Sequence, residues 1–134
     1  IIVLVNTEQY GGGGIYISYN LSYTKGNSFR PVVVHEFGHS FGGLADEYEY
    51  ADTDPMYFAD TEPWEPNITT KADFTQKWQN LIDNGKSSLI EGGGYQSKGV
   101  WRGNIDCRMR TNEHKDFCPV CQQALQKLID FYVK

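Results

Sequence analysis

The chain has 134 residues, 12 Lys and Arg against 17 Asp and Glu, and a formal net charge of −5. That length bounds it to a single domain over residues 1–134, and the acidic balance argues against nucleic acid or an anionic membrane as partner. No apolar run approaches the roughly 18 residues needed to span a bilayer.

The chain opens on Ile1-Ile2-Val3-Leu4-Val5, a continuous apolar run that reads as a buried strand covered on both faces. With neither an initiator Met nor a signal-peptide pattern, it reads as part of a longer chain whose export signal lies upstream. Gly11-Gly12-Gly13-Gly14 follows, either a flexible linker or a loop where another backbone comes close. Ile15 to Tyr19 is β-branched and aromatic and predicts a second strand. After a loop, Gly26-Asn27-Ser28 and Pro31 announce a helix from about Pro31 to Phe41. Val32 to Val34 alone would favour a strand, but the proline start and the histidine spacing override them. Gly42-Gly43 ends the helix.

From Asp46 to Glu65 there are eight acidic residues and no Lys or Arg. Such a run is a solvated loop by default. Its carboxylates would also suit Ca²⁺, although no calcium-loop signature is present. Asn67-Ile68-Thr69 matches a glycosylation acceptor. Lys71 to Asn84 carries Phe74, Trp78, Leu81 and Ile82 at the spacing of an amphipathic helix ended by Gly85. Ser87 to Arg102 reads as irregular and glycine-rich. Phe117, Val120, Cys121, Ala124, Leu125, Leu128, Ile129 and Tyr132 mark one face of a C-terminal helix, with Asp116 placed to cap it and Pro119 in its first turn.

The chemistry concentrates in His35-Glu36-Phe37-Gly38-His39. Positions four apart share a helix face, so His35 and His39 present two imidazoles to one point. Each can offer a ring nitrogen to Zn²⁺ at about 2.0–2.1 Å, and Glu36 beside them can accept a proton from water that the metal activates. Two of the chain's three histidines sit in this motif. On an apolar helix, two imidazoles and a carboxylate without partners would be costly to bury. A catalytic zinc has three protein ligands and an open position. In H-E-x-x-H-x-x-G-x-x-H the glycine turns the chain so that the third ligand follows within a few residues. Gly42 occupies the glycine position, but the last position is Ala45. Asp46, one residue on, is the preferred third ligand; Glu47 is second and the distant His114 weaker.

Three cysteines remain. Cys107 paired with Cys118 or with Cys121, or three reduced core thiols, are comparable readings. A second zinc on Cys107, His114, Cys118 and Cys121 ranks behind them.

His35 to His39 with Gly42-Gly43-Leu44-Ala45-Asp46-Glu47-Tyr48, Cys107-Arg108-Met109-Arg110 and Phe117-Cys118-Pro119-Val120-Cys121 resemble the immunoglobulin A peptidase family of bacterial zinc metallo-endopeptidases. The resemblance runs from about Ile1 to the end of the chain. It implies an α+β, metzincin-like zincin catalytic domain: a small mixed sheet packed on the active-site helix, plus the C-terminal helix. It also implies one catalytic Zn²⁺, a protein or peptide substrate, and a secreted or bacterial cell-surface location. Met109 would be the Met-turn beneath the metal, and Gly14, Ile15, Tyr16 and Ile17 the edge strand along which substrate extends, although Ile15 to Ile17 read equally as an interior strand. No Tyr directly follows Met109, so Arg108 or Arg110 would supply positive charge at the oxyanion or else pair with the acidic loop. The competing class is a non-catalytic binding or adhesion module with a structural zinc, which requires four protein ligands and no open site.

Overall fold

The computed structural model describes residues 1–71 and 77–134. The arrangement is mixed α+β, with two small sheets among the described residues. In the first, β1 (Ile2–Val5) runs parallel to β3 (Asn20–Tyr23), and β2 (Gly12–Gly14) pairs antiparallel with β3, giving the order β1-β3-β2. Helix α1 (Phe29–Gly42) packs across β2 and β3. Asn20 pins that packing, because its buried side chain donates to Val33 O at 3.0 Å.

Glycine explains why β2 sits where it does. A Cβ at Gly12 would lie 2.4 Å from Glu36 Oε1, and one at Gly14 would lie 2.4 Å from Glu36 O. The glycine run is therefore a close approach of strand to helix rather than a linker. It also displaces the strand expected at Ile15–Tyr19, which is a turn in the structure. There Ile15 N–H donates to Tyr19 O at 2.8 Å, Ile17 N–H donates to Ser40 O at 2.9 Å, and Ile17 takes a positive φ of 58°. Only Gly14 of the expected edge strand Gly14, Ile15, Tyr16 and Ile17 is in a strand. β1 differs too. It lies at the sheet edge and its residues are exposed, where a doubly covered strand was expected.

Helix α1 begins two residues before Pro31, whose missing N–H costs nothing in a first turn. It is less buried than its valines suggest: Val32, Glu36 and Gly38 are enclosed, while Val34 and Phe37 remain exposed. The helix ends at Gly43 in the left-handed conformation, and the N–H groups of Gly43 and Leu44 satisfy the carbonyls of His39 and Gly38.

The second sheet is built on β7 (Tyr95–Arg102), which pairs with β4 (Glu49–Tyr50), β5 (Ile68–Thr69) and β6 (Ile90–Gly93). The stretch read as irregular is thus an antiparallel hairpin. Three glycines at its turn and a register shift between Glu91 and Gly93 hide the alternation. Of the helix expected at Lys71–Asn84, the described residues form α2 over Gln79–Asp83; residues 72–76, Phe74 among them, lie outside the described residues. Trp78 just precedes α2, fully buried, and donates from Nε1 to Ser88 O at 3.1 Å. Helix α3 (Pro119–Tyr132) starts from Cys118 rather than from an Asp116 cap, with Pro119 in its first turn. Its last turns leave Ile129 and Tyr132 exposed. No described helix is long and apolar enough to cross a membrane.

The main core joins Leu44, Trp78, Cys107, Met109, Cys118, Val120 and Cys121. Met109 is wholly buried in the turn after β7, and a Cβ on Gly38 would lie 2.4 Å from its Sδ, so it forms the floor under α1. Gly14→Ala is expected to destabilise the chain by about 1–3 kcal/mol, because the intruding methyl meets helix backbone. Gly13→Ala, which meets nothing within 4 Å, should stay within about 0.5 kcal/mol of wild type in the same denaturant titration.

Candidate active site

Helix α1 delivers His35, Glu36 and His39, and the chain released by the Gly43 cap delivers Asp46. His35 Nδ1 lies 2.9 Å from Arg108 O, and His39 Nδ1 lies 2.6 Å from Leu44 O. A carbonyl can only accept, so each Nδ1 carries the proton and each neutral ring turns a bare Nε2 lone pair inward. The two Nε2 atoms are 3.0 Å apart, with Asp46 Oδ1 2.9 Å from one and 3.2 Å from the other. With both rings neutral, the buried Asp46 Oδ1 is left without a hydrogen-bond donor. Three electron-pair donors therefore converge on one point, which a cation satisfies.

Without a cation, protons must serve instead. Burial opposes a charged His39, but the hydrogen bond and charge of Asp46 outweigh it and raise the His39 pKa. Burial likewise works to raise Asp46, yet hydrogen bonds from both imidazoles, with help from Tyr95, hold it well below the usual carboxylate range. Glu36 is nearly enclosed, and burial raises its pKa against the pull of the two histidines.

The structure brings His35, His39, Asp46 and Glu36 together, with Met109 beneath the helix. Glu47, the second choice for third ligand, points the other way: its Oε1 lies 2.9 Å from Asn67 Nδ2 and 3.1 Å from Cys121 Sγ, fully buried. Burial pushes its carboxyl up to about 8. The outward alternation of an extended segment separates the two neighbours. His114 is half-buried, with Nδ1 2.7 Å from Asp116 O, and reaches neither Asp46 nor the cysteines. All three cysteines are free thiols, so neither expected disulfide is formed.

Among the described residues, the acidic loop beyond Glu47 gathers no cation cluster of the kind expected for Ca²⁺. Three of its carboxylates find partners within the protein instead. Glu49 takes a bidentate bond from Arg110, Glu62 pairs with Lys77 at 3.0 Å, and Glu65 accepts from Tyr57 at 3.0 Å. Arg110 is thus committed to the loop. Arg108 is buried and donates to Asn112 O and Lys115 O, while its carbonyl holds His35.

The sequence missed the tyrosines. Tyr95, on β7, donates its hydroxyl to Asp46 Oδ2, and burial pushes its pKa up to about 12. Tyr48 stacks on His35 with ring centroids 6.4 Å apart and meets Tyr95 edge-on at 5.2 Å. The repeated Tyr around the acidic residues, Glu47-Tyr48-Glu49-Tyr50, was the available signal; Tyr95 was concealed by the glycine-rich hairpin.

Two cavities flank the ligands, one of about 380 Å³ and one of about 520 Å³. They share Gly12, His35, Glu36 and Tyr48, so open space extends to both sides of the converging donors. Tyr16 and Trp64, tilted against each other with centroids 5.3 Å apart, wall the first; Tyr10 and Tyr50 wall the second.

A family model described as IgA Peptidase M64 matches residues 1–90 and 86–129 of the chain. No curated protein matches it. Tyr95→Phe removes the hydroxyl that orients Asp46 and is expected to weaken metal binding about 10- to 100-fold, measured by competition with a chelating indicator.

Proposed function

The chain belongs to the IgA Peptidase M64 family, a family of metallopeptidases, and from that premise we propose that it is a zinc-dependent endopeptidase. The carrying observation is the convergence of His35 Nε2, His39 Nε2 and Asp46 Oδ1 at the meeting of two open cavities. Two imidazoles and a carboxylate with an open face are the donor set of catalytic zinc. A zinc ion held there supplies Lewis acidity toward water and the scissile carbonyl.

The chain's own residues supply the rest. Glu36 receives the proton from the attacking water and returns it to the leaving amine. Its burial favours this exchange, because a raised carboxyl pKa moves proton uptake and release closer to neutrality. The Nδ1 hydrogen bonds to Arg108 O and Leu44 O fix the imidazoles, and Tyr95 fixes Asp46. Gly12–Gly14 is an edge strand beside the ligands, with one side free to pair with an extended peptide. Cavities on both sides of the centre suit a chain that continues in both directions, hence internal cleavage. The same proposal places the enzyme outside the cytoplasm, secreted or on the bacterial surface.

A binding module with purely structural zinc would need a fourth protein ligand at this centre. Among the described residues the cluster offers three.

The wild-type chain should cut an unfolded protein with blocked termini, lose activity to a chelator and regain it with Zn²⁺. Glu36→Gln should keep the ion and lose about 10²- to 10⁴-fold in kcat. Undiminished cleavage by Glu36→Gln, or no loss of bound ion when both His35 and His39 are removed, would sink the proposal.

A further inference from the structure

We propose that Glu47, Cys107, Cys118 and Cys121 form a second, closed site that holds a structural Zn²⁺ behind the cleft.

These four residues come from three parts of the chain and meet in the core, each no more than 2% exposed. Their ligand atoms all lie within 4.8 Å of one another. Cys107 Sγ and Cys121 Sγ are 3.6 Å apart. A disulfide requires about 2.05 Å, whereas two thiolates on a tetrahedral zinc with Zn–S bonds of about 2.3 Å stand about 3.8 Å apart. Glu47 Oε1 is 3.1 Å from Cys121 Sγ and 3.9 Å from Cys118 Sγ, so the carboxylate takes the fourth corner.

A polar atom is stranded there. Glu47 Oε2 is fully buried with no hydrogen-bond partner. A carboxylate oxygen in that position is costly in an apolar core and is resolved by a cation. The surroundings are those of bound thiolates. Asn67 orients Glu47 from 2.9 Å, and Cys118 N–H donates to Cys107 Sγ at 3.2 Å. Cys118 and Cys121 flank the N-terminus of α3, where the helix dipole favours negative charge. Buried Arg102 adds a positive field near Glu47. Three soft sulfurs and one oxygen favour zinc over calcium or magnesium. Four protein ligands leave no open position, which makes the site structural. On binding, the thiol protons and the Glu47 carboxyl proton pass to solvent.

The site requires Glu47 where the sequence suggested His114, and it stands whether or not the cleft is catalytic. Its test uses the whole chain. Wild type should carry about two zinc ions and His35→Ala/His39→Ala about one. The Co²⁺ form of both should show sulfur-to-cobalt charge-transfer absorption in the near ultraviolet, which His and Asp ligands cannot produce. Cys118→Ser/Cys121→Ser should lose that absorption; if this variant fails to fold, the wild-type cobalt spectrum still decides. No sulfur-to-cobalt absorption in wild type, or a Cys107–Cys121 disulfide in the mass of the freshly denatured protein, overturns the site. Sulfur-to-cobalt absorption with no His-dependent ion supports this site and overturns the peptidase reading alone.

Discussion

Two hydrogen bonds set the geometry of this protein: His35 Nδ1 to Arg108 O and His39 Nδ1 to Leu44 O. Each consumes the one proton of a neutral imidazole and so decides which nitrogen faces the cleft. Each also ties α1 to a piece of chain beyond the helix. The first reaches the turn that carries Met109, and the second reaches the segment that leads into Asp46. Helix, floor and third donor are therefore positioned by the same contacts that prepare the rings. Gly38 lets this happen, because Met109 Sδ occupies the space that a side chain there would fill.

Behind that arrangement, Asp46 and Glu47 divide their labour. An extended chain sends successive side chains to opposite sides, so Asp46 enters the open cleft and Glu47 the closed thiol cluster. Glu47 N–H also donates to Met109 O at 2.8 Å. The donor to the cleft and the carboxylate of the core share one strip of backbone, which this hydrogen bond ties to the methionine floor. The proposed buried zinc would brace the face of that strip opposite the cleft.

Local spacing was legible in the sequence, and long-range company was not. His35 and His39 lie one turn apart, and the Pro31 and Gly43 boundaries follow from backbone chemistry, so the helix could be read directly. Asp46 was reachable because only a short turn separates it from His39. Glu47 was misjudged because a one-residue step reverses the side chain, and the motif does not encode the reversal. Ile15 to Tyr19 has strand-forming residues, but the adjoining glycines approach α1 more closely than any side chain allows, so pairing moves to Gly12–Gly14. The β6–β7 hairpin was hidden by the residues that shape its turn. Tyr95 reaches Asp46 across that hairpin, and no pattern within either segment announces the other.

The bare backbone of Gly12–Gly14 carries one more consequence. A surface without side chains cannot tell one residue from another. It meets only the amide groups common to every peptide, and it disfavours proline, which lacks the N–H and is confined in φ. For a polypeptide lying along that edge, recognition through β2 is indifferent to sequence. Discrimination then falls to the aromatic walls, Tyr16 with Trp64 on one side and Tyr10 with Tyr50 on the other. The strand would grip any extended chain, and the rings would choose among them.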